Sequence, residues 1–155
     1  MTGRKLLVAF AGCVLGGMVA LAADDPFTGT WKLNAAKSKI GAGAATNNTV
    51  VYAAAGDSVK VTVDGVDASG KPSHNEWTGK FDGKDYPVTG DATADMRSYT
   101  KVDDHTLSFA NKKGGKVTMS GKAVVSGDGK SRTVTNEMTT ADGKKVASTA
   151  VYDKQ

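Results

Sequence analysis

The sequence predicts an all-β fold, a single antiparallel up-and-down meander of eight to ten strands that closes into a small barrel. Three observations predict it. After residue 22 the chain contains 14 valines and 16 threonines against two leucines, and β-branched residues pack well on pleated sheets whereas leucine favours helices. A Gly-Lys pair recurs at turn-like sites. Between these turns, apolar and polar residues alternate with the period of a half-buried strand.

Residues 1–22 are predicted to be a cleavable signal peptide. Arg4 and Lys5 give a positive start, residues 6–21 are apolar and uncharged, and Ala20 and Ala22 supply the small side chains before the cleavage site. The apolar run of 16 residues is shorter than the roughly 20 that a membrane-spanning helix needs. We therefore expect cleavage, export to the periplasm or the medium, and no stable membrane insertion afterwards.

The predicted mature chain is one domain, residues 23–155, without a disulfide, because the only cysteine, Cys13, leaves with the signal. Residues 10–13 (Phe-Ala-Gly-Cys) are partly similar to a bacterial lipobox, so a lipoprotein anchored through Cys13 is the alternative. Removing Arg4 and Lys5 leaves 18 basic and 16 acidic residues, a net charge of +2. The lysines are dispersed, so we expect no nucleic-acid partner and, by default, a monomer.

Turn motifs set the order of the strands. Gly-Lys pairs occur at 70–71, 83–84, 115–116, 129–130 and 143–144, and the last three are 14 residues apart. Glycine supplies the positive φ angles of tight hairpins, and two further turns are expected at 56–57 and 103–104. The predicted strands are 29–33, 49–55, 58–66, 74–81, 95–102, 105–111, 116–126, 131–139 and 145–152, with a weaker one at 84–88.

Side-chain alternation supports these strands individually. Val59, Val61 and Val63 share one face, and Val117 shares a face with Met119. Pro87 lacks a backbone N–H and places the weak strand at an edge or a strand end. Residues 35–45 have no apolar stripe and are interrupted by glycines, so they predict a loop or a short helical turn.

Two terminal segments carry a resemblance to known barrels. Residues 27–33 (Phe-Thr-Gly-Thr-Trp-Lys-Leu) resemble the opening strand of fatty-acid-binding proteins and lipocalins, with its Gly-x-Trp core. Residues 148–154 (Ser-Thr-Ala-Val-Tyr-Asp-Lys) resemble the last strand of intracellular fatty-acid-binding proteins, which carry Arg-x-Tyr to grip a carboxylate. Ala150 stands at the arginine position here, and only Tyr152 matches. The resemblance implies a lipocalin-like barrel with Trp31 inside, without naming a ligand; the chain is also similar to short exported bacterial proteins that begin alike.

Large aromatic residues are the candidate ligand-binding residues. Aromatic side chains on inward faces line apolar pockets, which favours a non-enzymatic binder of a small hydrophobic ligand. A second interpretation keeps the same residues as a packed interior, in a protein-interaction module such as an inhibitor or envelope accessory factor. The candidate cavity lining is Trp31, Trp77, Phe81, Tyr99, Phe109 and Tyr152.

The remaining polar residues give no catalytic or metal site. Arg97 and Arg132, the only arginines after the signal, would be carboxylate partners on an inward face. We expect them to be exposed near strand ends, because arginine is seldom buried unpaired. His74 with Glu76, and His105, are too few to hold a metal. The chain lacks a nucleophile elbow, a zinc-protease motif and a phosphate-binding loop, so neither an enzyme nor a cofactor is expected.

Overall fold

The computed structural model describes residues 25–155, which form a closed barrel of ten antiparallel strands. The predicted signal peptide, with Cys13, lies outside the described residues. The strands are β1 (Gly29–Leu33), β2 (Thr46–Ala55), β3 (Ser58–Val66), β4 (Pro72–Gly79), β5 (Tyr86–Thr89), β6 (Met96–Asp103), β7 (Thr106–Lys113), β8 (Lys116–Val125), β9 (Ser131–Thr139) and β10 (Lys145–Lys154). One short 3₁₀ helix, Ala35–Lys37, follows β1.

Each strand pairs with its neighbours in sequence, and β1 closes the barrel by pairing with β10. Trp31 lies opposite Lys154 and Leu33 opposite Tyr152 in this closing pair. The predicted antiparallel meander and its closure are thus confirmed. Closure gives every strand two partners, so the described sheet has no open edge.

The turn prediction is confirmed at the backbone level. The glycine of each of the five predicted turn pairs adopts a positive φ between 71° and 83°, the conformation that a side chain would oppose. Each of these turns is therefore fixed locally, and with it the register of the hairpin around it. The glycines are Gly70, Gly83, Gly115, Gly129 and Gly143.

The weak strand with Pro87 does not lie at an edge, because the barrel is closed. β5 is only four residues long and joins β4 through Glu76–Thr89 and Trp77–Val88. On its other side, Pro87 lies opposite Met96 in β6. Such a short ladder tolerates the missing proline N–H, and β5 is the shortest strand of the barrel.

The predicted inner face of β8 needs one correction. Asn111 pairs with Met119, but the next residue, Lys112, pairs with Val117, so that Thr118 is an extra residue in β8. This bulge turns Val117 outward, where it is 53% exposed, although Met119 is partly buried. The shared face predicted for Val117 and Met119 is therefore wrong, since a bulge reverses the alternation on one side of it.

The two ends of the barrel differ. We call the end with the turns 56–57, 80–85, 104–105 and 126–130 the packed end. There Trp77 makes an edge-to-face contact with Tyr99, with centroids 4.9 Å apart, and stacks on Phe81. We call the opposite end, where residues 34–45 connect β1 to β2, the covered end. Within residues 25–155 no helix is long and apolar enough to cross a bilayer.

Candidate functional site

A cavity of about 100 Å³ lies inside the barrel towards the covered end. Its walls come from alternate residues of seven strands, β2, β3 and β6 to β10, whose inward positions the pleat selects. Its polar groups are two arginines, three asparagines and a serine. The apolar walls include Val50, Val63, Phe109, Met119 and Val134, and the polar set is Asn47, Arg97, Asn111, Arg132, Asn136 and Ser148.

The six predicted site residues divide between this cavity and the packed core. Tyr99, Phe109 and Tyr152 line the cavity. Trp77 and Phe81 pack against each other at the packed end, and Trp31 is fully buried with its indole N–H donating to the Phe27 carbonyl at 2.8 Å. The structure brings three of the six side chains to one cavity, and contact of any of them with a ligand stays a prediction.

Arg97 is buried in a polar network. Its side chain is 7% exposed. Nε donates to Asn111 Oδ1 at 2.8 Å, and Nη2 lies 3.3 Å from both Asn75 Oδ1 and Asp91 Oδ2. The expectation that Arg97 is exposed is wrong because three partners from β4, β7 and the β5–β6 loop surround its guanidinium. The network joins these elements around one neutralised charge.

Arg132 is the second buried arginine, and its environment is aromatic. The residue is 2% exposed, which contradicts the expected exposed position beside a turn. Its guanidinium carbon lies 4.5 Å from the ring centre of Tyr152, 5.2 Å from that of Tyr52 and 5.3 Å from that of Trp31. Ring faces attract a cation, which accounts for the position of the side chain without any acidic neighbour.

Hydrogen bonding leaves Arg132 incomplete. Nε and Nη1 are buried and have no hydrogen-bond partner. Among residues 25–155 no ion pair includes Arg132, and the buried ion pair of the cavity wall joins Arg97 to Asp91. Leaving a buried charged donor unsatisfied costs several kcal/mol, whereas a desolvated cation–ring contact returns about 2 kcal/mol. Three rings surround the guanidinium, so the aromatic faces offset a large part of the cost but give Nε and Nη1 no acceptor.

The tyrosines beside Arg132 carry no compensating charge at neutral pH. Burial raises the pKa of Tyr52, and the neighbouring Tyr99 raises it further, while Arg132 opposes both effects. Burial likewise raises the pKa of Tyr152, against the attraction of Arg132. The Tyr152 hydroxyl donates to the Asn47 carbonyl at 3.1 Å. Both phenols stay protonated, so the interior around Arg132 is positively charged.

The connection between β1 and β2 borders the cavity with Ile40, Ala44 and Ala45. Its backbone is fastened to β10, where Lys39 forms a bridge with Thr149 and the Gly41 N–H donates to Ser148 Oγ at 2.9 Å. A Cβ on Gly41 would overlap Val146 and lie 2.7 Å from the Ala147 carbonyl oxygen. Glycine is therefore required for this close approach of residues 39–41 to β10.

The histidines lie away from the cavity. His74 is exposed, with Nδ1 2.5 Å from Asp64 Oδ1, and this hydrogen bond raises the pKa of His74. His105 follows the β6 turn at the packed end. Within residues 25–155 no group of three or more His, Cys, Asp or Glu side chains is arranged to hold a metal ion.

Sequence reasoning omitted several cavity residues that the strand period could have indicated. Tyr52 lies two positions after Val50 in β2 and shares its inward face. Asn136 lies two and four positions after Val134 and Arg132, on the face that Arg132 occupies in β9. Polar residues on an inward face are the missed signal, because a meander that closes makes one face of every strand internal.

No protein-family model matches the chain, and no curated protein matches it. Among solved structures, a redesigned β-barrel shares 13% identity over 84% of this chain and 92% of its own, with a TM-score of 0.47. The protein EF1p2_mFAP2b, solved bound to DFHBI, shares 10% identity over 84% of this chain and 94% of its own, with a TM-score of 0.49. At these identities the comparisons assign no function to the chain, and the fold is shown by the pairing of its own strands.

Proposed function

We propose that this protein is an exported small β-barrel that binds a small, largely apolar molecule in its interior and performs no chemistry on it. The cavity inside the barrel carries the proposal. A barrel that serves only as an interaction module needs a filled interior, and the packed end shows that this sequence can fill one. The cavity extends from the connection of residues 34–45, which borders it at the covered end, to Arg132 near the start of β9.

The size of the cavity limits the ligand. Pockets for drug-sized molecules measure about 300–1,000 Å³, whereas an engineered apolar cavity of about 150 Å³ binds benzene. A cavity of about 100 Å³ therefore suits a molecule of few heavy atoms. A long-chain lipid would require the walls to separate, so the proposed ligand is a small molecule or a short fragment.

The connection of residues 34–45 is the proposed route of entry. Residues 34–41 are fastened to β10 by several hydrogen bonds, among them those between Lys39 and Thr149 and from Gly41 to Ser148. Within the described chain, residues 42–45 form no hydrogen bond with β10, so this later part of the connection is the part held by few contacts. The segment contains one 3₁₀ turn and no buried residue in that turn. A segment held by few contacts opens locally at lower free energy than the barrel strands, which allows exchange of the ligand without unfolding.

Native mass spectrometry of the protein from the exported fraction of its own host tests this proposal. We expect a chain that starts near Ala23 and carries a small apolar adduct. A cleaved chain without adduct that also takes up none of a size series of apolar probes, from xenon and butane to benzene and toluene, contradicts ligand binding and favours the interaction module. A chain that starts at a lipidated Cys13 contradicts soluble export and leaves the binding proposal in place.

A pair of variants on β10 tests the position of the ligand. Ala150→Leu adds bulk at a buried residue that lines the cavity, and Ala147→Leu makes the same change at an exposed residue of the same strand. We expect the Ala150→Leu protein to lose the adduct and the Ala147→Leu protein to keep it. Equal retention of the adduct by both variants would place the ligand outside the cavity.

A further inference from the structure

Arg132 has a donor capacity that the described chain does not use. Its guanidinium is nine-tenths or more buried, lines the cavity, and holds Nε and Nη1 without an acceptor. A guanidinium presents two edges to a carboxylate, Nε with Nη2 and Nη1 with Nη2. Each edge contains one of the two unpartnered nitrogens, so either edge offers a carboxylate oxygen at least one free buried donor.

The surrounding cavity contains no group that would compete for this charge. Asp91 lies against Arg97, Tyr52 and Tyr152 present ring faces to Arg132, and the other polar lining residues are neutral amides and a serine. An acceptor for Arg132 must therefore come from outside residues 25–155. An anion gains most there, because charge attraction is strong in a poorly hydrated site.

We propose that Arg132 binds the carboxylate of a short organic acid whose apolar part lies against the cavity walls. This inference rests on the proposed function, since it names the chemical class of the interior ligand. The carboxylate matches the planar fork of the guanidinium. Val134, the next inward residue of β9 towards the covered end, and Phe109 in β7 also line the cavity. They supply apolar contact for the rest of the molecule.

The walls favour a carboxylate with an apolar part over an inorganic anion. Sulfate, phosphate and chloride would satisfy Arg132 but leave Val50, Val63 and Met119 facing polar solute. The cavity of about 100 Å³ excludes acids with long chains. Benzoate, a single ring with one carboxylate, is larger than benzene, so it enters only with the local opening of the covered end that the proposed function already requires. Toluene needs the same opening and is the uncharged counterpart of similar shape.

Titration of the protein with benzoate and, separately, with toluene tests the inference, with chloride and phosphate as further probes. Calorimetry gives the affinities, and the nitrogen resonances of the arginine side chains report the site directly. The whole sequence has three arginines, Arg4, Arg97 and Arg132, so these signals can be assigned. We expect benzoate to shift the Arg132 Nε resonance and to bind more tightly than toluene.

Two variants isolate the charge. Arg132→Met removes the guanidinium, and we expect benzoate to bind about 10- to 100-fold more weakly, the effect of losing a charge-assisted hydrogen bond, while toluene still binds. Arg132→Lys keeps the charge without the planar fork, so its affinity for benzoate should lie between those of the wild type and Arg132→Met. Lys122→Met removes an equal charge from the exposed face of β8 and should leave benzoate affinity unchanged.

The other outcomes overturn the inference in distinguishable ways. Toluene binding without benzoate binding rejects the carboxylate site and leaves the proposed function standing, whereas the absence of both rejects both. If benzoate binds the Arg132→Met protein as tightly as it binds the wild type, benzoate occupies a site other than Arg132. Chloride or phosphate that shifts the Arg132 resonance as strongly as benzoate identifies a general anion site. If the Arg132→Met protein does not fold, the test is whether benzoate shifts the Arg132 Nε resonance of the wild-type protein.

Discussion

The two arginines that line the cavity occupy opposite environments. Arg97 has three side-chain partners, Asn75, Asp91 and Asn111, within 3.3 Å. Arg132 has three aromatic rings around its guanidinium and no acceptor for Nε or Nη1. Both side chains are buried to a similar degree, at 6% and 2% exposure. Their burial is similar but their pairing differs. Arg97 stabilises the fold through its partners, whereas Arg132 keeps two N–H donors available for a ligand.

Burial energetics explain why this difference points to function. A buried ion pair returns part of its desolvation cost through its partner, and removing one partner is strongly destabilising. An unpaired buried charge recovers less of its desolvation cost. A protein with an apolar residue of similar volume in its place would be at least as stable. Packing alone therefore accounts for Arg97 but not for Arg132.

Replacement of Arg97 is the largest expected effect. Arg97→Met leaves the partly buried Asp91 carboxylate, 14% exposed, without its cation and removes the donors to Asn111 and Asn75. We expect the free energy of unfolding to fall by about 3 kcal/mol, measured by urea denaturation followed by tryptophan fluorescence. An Arg97→Met protein as stable as the wild type would show that the network is dispensable and would remove the contrast between the arginines.

Alkaline pH tests whether the rings around Arg132 are neutral. The pKa of Tyr52 and that of Tyr152 are raised by burial, so the unfolded chain loses these protons first, near its ordinary pKa of 10. The contribution of the protonated Tyr52 and Tyr152 to the free energy of unfolding is fully present below pH 10. It is lost as the pH rises towards the pKa values of the folded state. While one tyrosine is ionised only in the unfolded chain, stability should fall by about 1.4 kcal/mol per pH unit.

Urea denaturation at pH 9, 10 and 11 measures this slope. Tyr52→Phe removes one ionisable phenol from the cavity and should make the decline shallower than in the wild type. Tyr86→Phe should also make the decline shallower, because a hydrogen bond to Asp82 and, to a lesser extent, burial raise the pKa of Tyr86. Only Tyr52→Phe tests the cavity, since burial is the main cause of the raised pKa of Tyr52. A slope that Tyr52→Phe leaves unchanged would contradict a protonated phenol against Arg132.

Local signals predicted the strands because local chemistry determines them. The Gly-Lys turns adopt the positive φ that glycine permits, and alternation then identifies one face of each strand as internal. The failure at Val117 has the same origin, since the extra residue Thr118 is set by the pairing of β8 with β7. A bulge depends on a partner strand, and no pattern within residues 116–126 indicates it.

The cavity was less predictable because alternation gives the face of a residue but not its height along the barrel. Trp77 and Tyr99 both point inward, yet Trp77 lies in the packed core and Tyr99 reaches the cavity. The position of a residue along the barrel axis depends on the stagger between neighbouring strands, which barrel closure fixes over the whole sheet. The burial of Arg97 depends on Asn75 and Asn111, which are 22 and 14 residues away in sequence.

Replacement of Arg132 is the smallest expected effect on stability and the sharpest test of the comparison. Arg132→Met removes the desolvated charge and its two unsatisfied N–H groups, and in exchange loses the attraction of the rings of Trp31, Tyr52 and Tyr152. Because these terms oppose each other, the free energy of unfolding without ligand should change by less than about 1 kcal/mol. Urea denaturation beside Arg97→Met and Lys122→Met measures it. A loss as large as that of Arg97→Met would mean that the ring contacts stabilise the barrel, and Arg132 would then have a structural role that requires no ligand.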